Sequence, residues 1–428
     1  MIVVLAVLAI AAVVLVFALN REEAPAASSV PLVYSSGPSE PESEPAASQP
    51  VEVPEGVYQA MPLPEEMRAM YYTYLEWEQN EISSEAAMRA TVAAVFDNCV
   101  DLGMNTVLMA VRPYSDALYQ SEYFPWSHLV AGTQGQDPGF DPLQVMIEEA
   151  HSRGLRIEAY INPYRVQVSQ DNPALAANNP AAANPDWVRT TEAGTVWYDP
   201  GHPEVRRLLV ESTREIVEKY DVDGIHFDDY FYGATGEDFD AATYAEYGNG
   251  EPLDEWRRNN INEAMMEVNE TIKAANPSVS FGISPQGNNE NNYNQQYSDI
   301  ALWLSTPGYV DYIMPQLYWG FNYNKNGNES ANFANKTAEW AGYPRADGVR
   351  LYAALGAYRI KDGDGGDNDQ AEWQSGHNLA DMIAHLDGVE GFSGFSLFRY
   401  HFLYNGSELA TSEVEAIKGQ LGVQPDTE

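Results

Sequence analysis

Asp221-Val222-Asp223-Gly224-Ile225-His226-Phe227-Asp228-Asp229-Tyr230 is the stretch that decides the fold. Ile225 and Phe227 alternate with His226, Asp228 and Tyr230, which is the period of a β-strand. The apolar pair is expected to face covering helices. His226, Asp228 and Tyr230 are then expected to face the axis of a barrel, with Asp228 at its mouth and Asp229 at the rim.

Working outward, seven further apolar runs of similar length flank this one. The eight predicted strands are 69–75, 106–111, 156–161, 224–227, 280–284, 312–314, 351–355 and 394–397. Helical patterns lie between them at 84–102, 142–153, 203–220, 254–275, 299–305, 330–340 and 376–386. Asp141-Pro142 and His202-Pro203 place proline at a first helical position, and Gly103 and Gly154 stand where helices close. Strands alternating with helices imply parallel pairing, and eight such units predict an α/β fold of the (β/α)8 TIM-barrel type. A doubly wound sheet is the alternative, but no GxGxxG or P-loop supports it.

In such a barrel the chemistry sits at the C-terminal ends of the strands. Those ends here carry Glu76-Trp77, Arg112-Pro113-Tyr114, Asn162-Pro163-Tyr164-Arg165, Asp228-Asp229-Tyr230, Gln316-Leu317-Tyr318-Trp319, Tyr358 and Arg399-Tyr400. Aromatic faces beside carboxylates and amides suit a sugar, which stacks its C–H face and hydrogen-bonds through its edge. Asp228, Asp229 and Glu76 are the candidate catalytic acids. Two adjacent carboxylates repel, which tends to raise one pKa and create an acid. Arg112, Asp116, Asn162, Tyr164, Arg165, Tyr230, Gln316, Tyr318, Trp319, Tyr358 and Arg399 are the candidate substrate-binding residues. Arg112, Arg165 and Arg399 together are expected to form an anion site against an acidic background. Glu158 and His226 face the axis at similar heights and are expected to meet beneath the site.

The whole chain has 428 residues, 23 Lys+Arg and 63 Asp+Glu, for a net charge of −40. That charge repels phosphate backbones and anionic lipid, so nucleic acid is not an expected partner, whereas a neutral polysaccharide is. The single cysteine, Cys99, excludes an internal disulfide and reads as a buried thiol. No HExxH or CxxC pattern occurs, so no metal or cofactor is expected. The acidic loop 361–369 departs from calcium-loop spacing and reads as flexible.

Residues 1–20 carry no charge, and about 20 apolar residues span a bilayer, so they read as a membrane anchor or signal segment. Residues 21–56, rich in Pro, Ser and Glu, read as a disordered linker to a barrel over 57–428. The expected location is the extracytoplasmic face of a membrane, single-pass anchored, with secretion after cleavage as the alternative.

Several segments together are specific. They are 68–77, Val111-Arg112-Pro113 with Asp116-Ala117-Leu118-Tyr119, Pro125-Trp126-Ser127, Gly132-Thr133-Gln134-Gly135 and 137–143. They continue with Ile161-Asn162-Pro163-Tyr164-Arg165, 223–230, Ile283-Ser284-Pro285 and 314–319. In these the chain resembles the glycosyl-hydrolase-like family 10, the DUF187 group of bacterial cell-envelope proteins. The resemblance covers about residues 64–422. It implies a TIM-type barrel that hydrolyses glycosidic bonds, for some members in peptidoglycan glycan strands lacking stem peptides. Residues 223–230 also resemble a chitinase-type signature, with His226 and Tyr230 where that signature carries acids. Tyr318 would match a tyrosine that positions an acetamido group. Two functions follow: an envelope glycoside hydrolase acting on an N-acetylated cell-wall glycan, or a catalytically inactive barrel that binds such a glycan.

Overall fold

A computed structural model describes residues 53–423 apart from Glu81, residues 169–172 and Asp369. The predicted membrane segment and nearly all of the linker lie outside the described residues. Among the described residues no helix is long and apolar enough to cross a membrane.

Eight parallel strands close into a barrel. They are β1 (Met67–Tyr72), β2 (Thr106–Arg112), β3 (Arg156–Ile161), β7 (Gly224–Phe227), β8 (Ser280–Ile283), β9 (Tyr312–Ile313), β10 (Arg350–Leu355) and β11 (Phe392–Leu397). The expected eight-stranded α/β barrel is therefore what the chain forms. Between β3 and β7 the chain adds a sheet that the sequence reading missed, with antiparallel strands β4 (Arg165–Gln167), β5 (Val188–Thr190) and β6 (Val196–Tyr198). Strands of three residues carry too little alternation to be recognised.

Helices start where side chains cap them. Asp141 accepts from the backbone N–H groups of Leu143 and Gln144, with Pro142 at the first helical position of Pro142–His151. His202 caps Pro203–Lys219 through the Glu204 N–H. That helix turns Val205, Leu209, Ile216 and Val217 inward. Each such side chain contributes about 1.5–3 kcal/mol relative to exposure. Cys99 is buried on the inner face of Glu85–Asp101, as expected.

The first predicted strand is too long. β1 stops at Tyr72, and Thr73 caps a short helix, Tyr74–Trp77, in a capping box with Glu76.

Axis-facing residues follow the period-two reading. Tyr160 aligns with His226, and Glu158 with Gly224. Gly224 is required there, because a Cβ would press on the Glu158 side chain and the Ser280 hydroxyl. A Cβ at Gly282 would overlap the Tyr312 ring. That ring crosses the axis and corrects the predicted Glu158–His226 contact. His226 Nδ1 is 4.0 Å from Glu158 Oε2. The Tyr312 hydroxyl bridges them, donating to Glu158 at 2.5 Å and lying 2.7 Å from Nδ1. Because Tyr312 donates to Glu158, it accepts from Nδ1–H. His226 Nε2 is then left to accept from the Tyr71 hydroxyl at 2.7 Å. Burial lowers the His226 pKa to about 3, so the ring is neutral. Burial raises the pKa of Glu158 against the pull of Arg156, which is hydrogen-bonded to it.

Asp223 closes the floor. It accepts from the Tyr58 hydroxyl (2.9 Å), the Met61 N–H (2.7 Å), His151 Nε2 (3.0 Å) and the Ile157 N–H (2.9 Å). These contacts pin the segment that enters the barrel from the N-terminal side.

Candidate active site

Asp228 leaves β7 at the mouth with only 4% of its surface exposed. Its Oδ2 accepts from the Tyr160 hydroxyl at 2.8 Å and from Asn162 Nδ2 at 3.2 Å, and its Oδ1 faces the Tyr230 N–H at 3.4 Å. Tyr160 and Asn162 come from β3 and the turn after it, so the neighbouring strand holds the carboxyl from one side. Asp229, 8% exposed, accepts from Gln316 Nε2 at 3.0 Å, and the same amide donates to the Ser284 carbonyl.

Burial, and then the adjacent Asp229 charge, raise the Asp228 pKa to about 7. Burial also raises Asp229, while the Gln316 hydrogen bond pulls it back. Two carboxyls this close titrate as a pair, so near neutrality the pair retains a proton.

Arg165 forms the next layer. Its Cζ lies 5.0 Å from the Tyr74 and Tyr230 ring centres and 5.3 Å from that of Tyr114. Its backbone N–H donates to Asn162 Oδ1 at 3.1 Å, tying this layer to Asp228. Tyr230 is 40% exposed and stands 6.0 Å from Trp197 of the added sheet, which the sequence reading did not single out. On the opposite wall Tyr318 stacks on Phe398 at 5.5 Å and meets Tyr358 edge-on at 5.4 Å. Trp319 is half-buried, 6.0 Å from Tyr323. The mouth thus brings together Asp228, Asp229, Asn162, Arg165, Tyr230, Gln316, Tyr318 and Tyr358. Tyr160 was missed as a partner of Asp228 although its axis-facing position was legible.

Other candidates go elsewhere. Glu76 is consumed locally: Oε2 takes the Thr73 N–H (2.9 Å) and hydroxyl (2.6 Å), and Oε1 pairs with Arg399 Nη1 (2.6 Å). Arg399 is therefore a bridge to the capping box. Arg112 follows a register shift after Ala110 that sets it opposite Ile161, an outward-facing residue. It lies buried under Phe124, 4.7 Å from the ring centre, with Nε and Nη2 unpartnered. The three arginines do not converge, which corrects the expected anion site. Tyr164 is fully buried against Phe231 with its hydroxyl unpartnered. Trp77 is core, donating to the Ala110 carbonyl at 2.9 Å, and the Tyr400 hydroxyl accepts from Asn98 at 2.6 Å. Asp116 is buried in the loop after β2, beside His128 and Gln134.

The acidic loop is anchored rather than free. Asp364 is buried and accepts from the Gly320 N–H (2.9 Å), Trp373 Nε1 (3.1 Å) and the Gly366 N–H (3.0 Å). These are N–H partners, not a set of oxygens turned to a cation.

A parallel barrel whose mouth joins paired carboxyls to aromatic walls has the architecture of the glycoside-hydrolase class. The family model described as Glycosyl hydrolase-like 10 matches residues 66–375. Glycosyl hydrolase YngK of Bacillus subtilis (strain 168) is 35% identical over 359 residues, 78% of this chain and 68% of that protein. Glycosyl hydrolase DigH of Escherichia coli (strain K12) is 33% identical over 353 residues, 76% of this chain and 78% of that one. The chain belongs to the glycosyl hydrolase-like 10 family. Among solved structures, the PgaB (BpsB) glycoside hydrolase domain from Bordetella bronchiseptica superposes with a TM-score of 0.57 at 12% identity, covering 82% of this chain and 99% of that one. Alpha-L-fucosidase isoenzyme 2 from Paenibacillus thiaminolyticus gives 0.51 at 16% identity, covering 84% of this chain and 49% of that one. At such identities the likeness is one of fold, and the chain spans about half the length of the fucosidase.

Proposed function

We propose that the protein is a glycoside hydrolase that cleaves an N-acetylated cell-wall glycan, with peptide-free peptidoglycan strands as the substrate to test first. The observation that carries this reading is the adjacent, buried Asp228–Asp229 pair at the mouth, with Asp228 held by Tyr160 and Asn162 and Asp229 by Gln316; burial and the neighbouring carboxylate push the Asp228 pKa up.

Asp228 serves as the general acid. Its proton passes to the glycosidic oxygen as the C1–O bond breaks, and positive charge develops at C1. Asp229 stays the charged member, held by the Gln316 amide, and opposes that charge. Of the three candidate acids only these two remain, since Glu76 is committed to Arg399 and the Thr73 cap. An N-acetylated sugar supplies the missing nucleophile itself, through its 2-acetamido oxygen, and Tyr318 is the residue we assign to orient that group. Water then adds at C1 and returns its proton to Asp228. The protein would act outside the cytoplasmic membrane, tethered or released by residues 1–56.

The test incubates the protein and its Asp228→Asn variant with purified glycan strands, with and without stem peptides, and identifies products by mass spectrometry. Wild-type release of shorter saccharides, lost in the variant, is the expected result. Product that survives the substitution moves the acid to Asp229. Strands retained by both proteins without cleavage replace the hydrolase with a glycan-binding barrel.

A further inference from the structure

The end of β8 brings to the mouth an amide that the cleavage chemistry does not use. Along this strand Gly282 faces the axis, since a Cβ there would overlap the Tyr312 ring. Alternation then turns Ser284 and Gln286 the same way. Ser284 is sealed in the barrel, whereas Gln286, one layer higher, is only half-buried. Gln286 and Gln316 form a parallel bridge, so their amides stand on neighbouring strand ends. Gln316 is already engaged, donating to Asp229 at 3.0 Å.

Gln286 is fixed from behind by the short helix Asn289–Gln295. Its backbone N–H donates to Asn292 Oδ1 at 3.0 Å, and its carbonyl accepts from Asn292 Nδ2 at 2.8 Å. Its side-chain Oε1 accepts from Asn291 Nδ2 at 3.3 Å. With Oε1 turned to that helix, Nε2 is turned the other way, towards Asp229, whose charged form it favours. Nε2 carries two diverging N–H groups, and Asp229 takes one of them. Among the described residues nothing takes the other. Beside it, the Trp319 ring packs on Gly287, close enough that a Cβ there would meet the ring. A fixed donor therefore stands at the edge of an aromatic face.

We infer that Gln286 is a substrate-binding residue that donates its remaining N–H to a hydroxyl oxygen of a sugar ring seated beside Trp319. The inference rests on the glycan reading of the mouth. A pyranose offers both complements at once, a C–H face for the Trp319 ring and hydroxyls at its edge for the amide. An apolar ligand would cover the donor and leave it unpaired, which disfavours it.

The experiment uses an Asp228→Asn/Asp229→Asn protein, which cannot turn over its ligand and carries no charge at the pair. Calorimetry measures its binding of a peptide-free peptidoglycan oligosaccharide of defined length. Adding Gln286→Leu is expected to weaken binding about tenfold, the worth of one neutral hydrogen bond. Adding Asn291→Ala instead keeps the amide but frees it to turn, and is expected to weaken binding about threefold. Melting curves confirm that each protein is folded, and the Asn291→Ala arm decides the matter if Gln286→Leu does not fold. Binding within twofold after Gln286→Leu overturns the inference, because the amide then serves the Asp229 charge alone. Unchanged binding after Asn291→Ala overturns the claim that the helix aims the donor. Binding by the unsubstituted protein without cleavage removes the hydrolase reading alone. Failure of the unsubstituted protein to bind overturns the two together.

Discussion

Asp223 and Asp228 stand at opposite ends of β7, both buried, and their environments drive them in opposite directions. Burial alone would raise Asp223. Its hydrogen bond from His151, the charge of Arg156 and the N–H groups of Ile157 and Met61 outweigh that, and its pKa lies below the usual carboxylate range. Asp228 is equally short of water but faces a second carboxylate, and its pKa rises to about 7. At the floor, four donors from three different segments saturate the acid. At the mouth, three donors are offset by Asp229. Saturation makes an inert anchor, while incomplete compensation leaves a proton available for chemistry.

The largest expected effect is at the floor. Asp223→Ala strands the Tyr58 hydroxyl, His151 and two backbone N–H groups, and is expected to cost about 3–5 kcal/mol in urea unfolding, with the rate per folded molecule unchanged. The contribution of Asp223 has a defined sign with pH. Its folded pKa is depressed, so its stabilisation is present above the unfolded value and is lost as pH falls through the lower folded value.

Asp228 behaves in reverse. Its raised pKa means that stability is fully present below the unfolded value of about 3.8 and is lost as pH rises through about 7. Asp228→Asn is therefore expected to stabilise the protein at pH 8, by about 1–2 kcal/mol, and to have little effect at pH 3. Thermal unfolding at both pH values checks this. A variant less stable at pH 8 would mean that Asp228 is as well compensated as Asp223.

The smallest effect is expected at Arg112, which the sequence placed at the mouth and the structure places behind the barrel wall. Arg112→Met removes a buried guanidinium with two unpartnered nitrogens. It is expected to change stability by less than about 1 kcal/mol and leave kcat/KM within twofold. A large loss of rate would return Arg112 to the site.

These contrasts also mark how far the sequence could be read. The eight strands and the inward face of 224–230 were legible because alternation and helix starts are local signals. Arg112 was misplaced because one residue of register shift after Ala110 reverses a face, and nothing in the segment announces it. Glu76 was taken for a catalytic acid because the Thr73 cap turned the expected end of the first strand into a helix. The Glu158–His226 contact was right in face, but the two lie two residues apart in register and are bridged by Tyr312, whose ring passes where a side chain on Gly282 would stand. The Asp228–Asp229 pair stands at the strand end where the alternation put it, because adjacency is displayed directly by sequence.

The most direct test of the account is the pH dependence of kcat/KM on purified glycan strands. The account predicts a descending limb centred near pH 7, falling about tenfold per unit above it, as Asp228 loses the proton it must donate. Gln316→Leu removes the donor that favours charged Asp229, and should shift the ascending limb to higher pH. A profile that stays flat to pH 9 in the wild type would contradict the claim that Asp228 is the acid.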